Sequence, residues 1–112
     1  MHAELSHRLT SHEKWSYGQG RIEPYLGEWD DAPVHRAGSG LLWRWLDGSW
    51  VLDLDDAATA GVLVGMLPPR SYAMRQASGD WFVCIVGSGS AHDAATLGEA
   101  AARALLALWG QP

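Results

Sequence analysis

Lysine occurs once in this chain, at Lys14, and cysteine once, at Cys84. Each scarcity excludes something. A single thiol rules out an intramolecular disulfide framework, and its place inside the apolar run Trp81–Val86 predicts a small core residue. Eight Lys and Arg, none adjacent, stand against thirteen Asp and Glu, for a formal charge of −5. The clustered cations that neutralise phosphates are missing, which argues against direct nucleic-acid binding. The run Trp81–Val86 is six residues long, far short of the roughly 20 that cross a bilayer, so neither a transmembrane helix nor a membrane partner is expected. The N-terminus, MHAELSHRLTSHEKW, lacks the basic start and apolar core of a secretion signal and predicts a cytoplasmic protein.

What is present points to one α+β domain spanning 1–112, since a chain with 47% hydrophobic residues at this length can bury roughly two-thirds of its unfolded surface. Residues 1–40 carry Gly18, Gly20, Gly27, Gly38 and Gly40 with Pro24 and Pro33 and no sustained period, predicting an irregular N-terminal arm with a short helix over Ala3–Lys14. From 41 to 112 the patterning predicts a β-β-α-β-β-α core. In LLWRWLDGSWVLDL, Asp47-Gly48 between apolar runs predicts a two-residue hairpin that sets Trp45 opposite Trp50. Leu41, Trp43, Trp45, Trp50, Leu52 and Leu54 then share the core face. A helix follows from Asp55 or Asp56 to Leu67, stopped by Pro68-Pro69 and buried on two faces, one of them lined by Ala57, Ala60, Gly61, Val64 and Gly65. SYAMRQA and WFVCIVG read as two further strands. TLGEAAARALLALWG reads as a closing helix with Thr96 and Glu99 at capping-box spacing and Gly110 as its stop.

The chain spells Asp-Ala-Ala-Thr-x-Gly twice, at Asp56–Gly61 and Asp93–Gly98. Arg44, Gly48 and Trp50 precede the first as Arg75, Gly79 and Trp81 precede the second. Two β-β-α units, from duplication or from convergence on the same hairpin and helix-start chemistry, would form an antiparallel sheet packed with two helices.

Chemical motifs are thin. Asp53, Asp55 and Asp56 resemble a divalent-cation cluster, but the spacing fails the EF-hand pattern and fits helix capping, so no metal and no other cofactor is predicted. Ser88, Ser90, His92 and Asp93 include the residue types of a hydrolase triad without a nucleophile elbow, so no catalytic residue is assigned and the chain reads as a non-enzyme. His2, His7 and His12 recur every five residues, which scatters them around a helix instead of stacking them for a metal. Of seven tryptophans, Trp15 and Trp29 fall outside the predicted core faces. With Tyr17, Tyr25, Glu28, Asp30 and Asp31 they form the candidate partner surface, the competing reading being that they pack on the protein's own sheet. The alternative site is a small-ligand or phosphate loop at 87–92, using Ser88, Gly89, Ser90 and His92 ahead of a helix start.

The stretch from Trp50 to the end, through WVLDLDDAATAGVLVGMLP, GDWFVCIVGSGS and TLGEAAARALLALWG, resembles small phage and prophage proteins of the phage ABA sandwich family. The tryptophan-rich hairpin at 41–54 and the N-terminal arm depart from that pattern. The resemblance implies a phage accessory protein acting on a host or phage protein, inhibitors of host defence such as anti-CRISPR proteins being one known role. Homo-oligomerisation is left open.

Overall fold

The computed structural model describes residues 3–15, 34–46, 48–87 and 90–110. Along the chain come α1 (Ala3–Thr10), β1 (Val34–Arg36), β2 (Leu42–Leu46), β3 (Ser49–Leu52), α2 (Ala57–Gly65), β4 (Tyr72–Arg75), β5 (Trp81–Ile85), β6 (Ser90–Ala94) and α3 (Leu97–Leu108). The fold is α+β and antiparallel, but its strands form two three-stranded sheets, β1-β2-β3 and β4-β5-β6, where the patterning suggests one. Each sheet leads into a helix, so the order after α1 is β-β-β-α twice. The strands that patterning misses are β1, inside the arm, and β6, read as a loop. Val34-His35-Arg36 is too short to display a period. Ser-Ala-His-Asp-Ala has no β-branched or aromatic residue, and only its ladder to β5, from Trp81↔Ala94 to Ile85↔Ser90, marks it as a strand.

The hairpin register is the one the Asp-Gly turn dictates. Trp45 pairs with Trp50 and Leu46 with Ser49, and Gly48 takes φ +86°, while Asp47 lies outside the described residues. The two indoles meet edge to face with centroids 5.3 Å apart. Their burial differs from expectation. Leu41, Trp43, Leu52 and Leu54 are buried, yet Trp45 is 45% exposed and Trp50 is half-buried. Alternation fixes which face a residue joins, but not how far along the strand the covering elements reach. The opposite face also contributes buried groups, Leu42, Val51 and Asp53.

Helix α1 docks through Leu5 and Leu9, one turn apart, and its fully buried Ser6 donates a 2.7 Å hydrogen bond to the Leu52 carbonyl. It packs on both β3 and α3. In α2 the Asp56 carboxylate accepts from the Thr59 amide at 2.9 Å, capping the first turn as the sequence implies. Its buried stripe is Thr59, Ala60 and Leu63 alone. Ala57, Ala58, Gly61 and Gly65 are exposed, so the second buried face is absent. The closing helix α3 starts at Thr96, whose hydroxyl accepts from the Glu99 amide, and Gly110 with φ +79° follows its end. Its buried Ala100, Ala101, Ala104 and Leu105 pack among α2, β5 and β6, which joins the two halves in one core around Leu52, Leu54, Leu63, Val83 and Ile85. Among the described residues no helix is long and apolar enough to cross a membrane.

Candidate functional site

In the acidic cluster Asp53 and Asp56 have structural tasks. Asp53 is buried, accepts the Asp55 amide at 2.9 Å and pairs with Arg44 across the hairpin. Asp56 caps α2 and receives both ends of the Arg36 guanidinium, at 2.9 and 3.0 Å. Those Arg36 hydrogen bonds hold its carboxyl down at about 2, with the Thr59 amide and hydroxyl adding to the effect and partial burial opposing it. Asp55 is exposed. Among the described residues no three His, Cys, Asp or Glu side chains are arranged to hold a metal ion.

Of the aromatic anchors, Trp15 is 8% exposed and belongs to the core cluster, so it packs on its own protein and is no free anchor. The residue lies five positions past the end of α1, after turns in which the His12 amide bonds the Leu9 carbonyl and the Trp15 amide the His12 carbonyl. Tyr17, Tyr25, Glu28, Trp29, Asp30 and Asp31 lie outside the described residues, as do Ser88 and Gly89. Ser90 and His92 belong to β6, opposite Ile85 and Val83, and therefore face inward with those buried residues. Of the three N-terminal histidines, His2 is outside the described residues, His7 is exposed and His12 stacks at 5.1 Å on Trp109.

Two surfaces that motif searching misses stand out. The first is the outer face of the β4-β5-β6 sheet. Its pairs Tyr72↔Cys84 and Met74↔Phe82 point away from α3, while Ala73, Val83 and Ile85 point toward it. Tyr72 and Met74 are 47% and 50% exposed, Phe82 and Cys84 half-buried. The Tyr72 and Phe82 rings lie 6.4 Å apart, and the neighbouring Cys84 thiol raises the pKa of the Tyr72 phenol. Cys84 is thus a surface thiol on this face and not the core residue that its apolar run suggests. Among the described residues β4 pairs only with β5, so one side of its backbone makes no ladder with them. The alternation of Tyr72, Met74, Phe82 and Cys84 is visible in the sequence. Which of the two apolar faces α3 covers is not.

The second is a cavity of about 270 Å³ where α1, β6 and α3 meet, lined by Leu5, Arg8, His92, Arg103, Leu106 and Ala107. The Arg103 side chain is held there by the Glu99 carboxylate one turn back, at 2.7 and 3.1 Å. The buried Nε2 of His92 has no hydrogen-bond partner among the described residues. Arg8 and Arg103 lie 95 positions apart in the chain, with no shared motif to connect them. No family model, no curated protein and no solved structure matches this chain.

Proposed function

We propose that the chain is a non-enzymatic cytoplasmic binding protein, and that it engages another protein through the outer face and open edge of the β4-β5-β6 sheet. The observation that supports this most is the uncovered set Tyr72, Met74, Phe82 and Cys84, four large or soft side chains gathered on one face of a sheet whose other face is packed. Contiguous exposed apolar surface of this kind marks interaction sites. The side of β4 that pairs with no described strand offers backbone donors and acceptors to an incoming strand, with no Pro in its four residues and Arg75 as their one charge. The fitting partner is a protein with an extended apolar segment that adds beside β4 and lays alternate side chains over Tyr72 and Met74. A phage accessory role directed at a host protein is one form of this action, resting on the family resemblance alone.

The test is the double substitution Tyr72→Asp with Met74→Asp, both on exposed positions where the fold tolerates change. Capture from a host extract should retain a protein on the wild type and lose it on the variant, with protection of the β4 amides from hydrogen exchange in the complex. Equal retention by both chains defeats the reading. Self-association of the purified wild type that the variant lacks would replace the foreign partner with a second copy.

A further inference from the structure

We infer that the cavity between α1, β6 and α3 is a binding site for a small organic oxyanion, a carboxylate or phosphate monoester carrying a short apolar group. Three independent features converge there. Arg8 from α1 and Arg103 from α3 bring two cationic side chains to the wall of one cavity, in a chain whose formal charge is −5 and whose cations are few. His92 from β6 contributes to the same wall, and its buried Nε2 has no hydrogen-bond partner among the described residues. Leu5, Leu106 and Ala107 complete the wall with apolar surface.

The charges at the cavity are unequal in commitment. Arg103 is engaged by Glu99, whose side chain is 8% exposed, so this guanidinium is fixed in direction while its charge is partly balanced. Arg8 is exposed and forms no ion pair among the described residues. An oxyanion placed between them can accept from Arg8 and from the remaining guanidinium hydrogens of Arg103. Its apolar portion would rest on Leu5 and Leu106. The volume, about 270 Å³, lies just under the range of drug-sized pockets and suits a compact ligand. This site is separate from the outer sheet face: His92 points inward from β6, and Tyr72 and Met74 point outward from β4.

Titration of the ¹⁵N-labelled chain with inorganic phosphate and with phenyl phosphate tests the assignment. The expected result is saturable shifts confined to α1, β6 and α3, with phenyl phosphate binding more tightly because it also covers the apolar wall. Arg8→Gln removes an exposed surface charge without touching the core and should weaken binding about tenfold or more, the loss of one charge-assisted hydrogen bond. Arg8→Lys should recover part of the affinity. The proposal is overturned if shifts fail to saturate, if they scatter over the surface, or if Arg8→Gln binds as the wild type does. Phosphate and phenyl phosphate binding equally would remove the apolar group from the assignment.

Discussion

The segments Asp56–Gly61 and Asp93–Gly98 share five of six letters and almost none of their physics. In the first, Asp56 is the cap, and Thr59 lies a turn inside α2, fully buried, accepting the Leu42 amide at 2.9 Å and donating to Asp56. In the second, Asp93 and Ala94 still belong to β6, and Thr96 is the cap. The helix begins three residues later in the word. The glycines follow suit. Gly61 faces open space, whereas a Cβ built on Gly98 would sit 1.9 Å from the Leu54 carbonyl oxygen, because α3 crosses there against the end of the first sheet. A shared spelling is therefore no evidence of a shared role, since the neighbouring strand decides where the helix can start.

That contrast breaks most visibly at the glycines. Gly98→Ala drives a methyl group into backbone that cannot swing aside, and should destabilise by about 3 kcal/mol or more, beyond ordinary overpacking. Gly61→Ala, at an exposed helix position, should instead stabilise by about 0.5–1 kcal/mol. Chemical denaturation of the two variants reads both signs, and equal effects would restore the equivalence of the two words. Second in size is the threonine pair. Thr59→Val leaves the buried Leu42 amide without its acceptor and should cost about 1–3 kcal/mol, against about 1 kcal/mol for Thr96→Ala, which loses a cap alone.

The aspartates sharpen the comparison at smaller amplitude. Asp56→Asn should lower stability by about 1 kcal/mol at neutral pH, while Asp93→Asn on the exposed face of β6 should stay within about 0.5 kcal/mol of wild type. The sign of the pH dependence follows from the depressed Asp56 pKa. Its stabilisation is present above the unfolded carboxyl value near 4 and disappears as pH falls through about 2. The gap between wild type and Asp56→Asn should accordingly close between about pH 4 and pH 2 in urea titrations, and a constant gap would detach the shift from folding.

What the sequence made legible was local. The Asp-Gly turn, the Asp56 and Thr96 caps and the Gly110 stop each depend on one to four neighbouring residues, and each stands where the pattern places it. The third strand of each sheet was not legible, because β6 is a strand by virtue of β5 and not of its own residues. Nor was the burial of Trp15, which depends on how α1 lands, or the exposure of Trp45, which depends on where covering elements stop. The candidate sites fared similarly. The outer-face residues could be paired from the register, but the cavity exists only because helices 1 and 3 meet β6.

The docking of α1 has a kinetic consequence. Each β-β-β-α unit closes on contacts between neighbours in the chain, whereas the Ser6–Leu52 bond spans 46 positions and the packing of α1 on α3 about twice as many. Loop closure over such separations loses more chain entropy than hairpin closure does. An eight-residue helix is also too short to persist by itself in water. Helix α1 is therefore expected to dock late and to open readily, and native-state hydrogen exchange faster at its amides than at those of α3 would show it. The wall that carries Arg8 belongs to this same helix, so the cavity is complete only while α1 is docked.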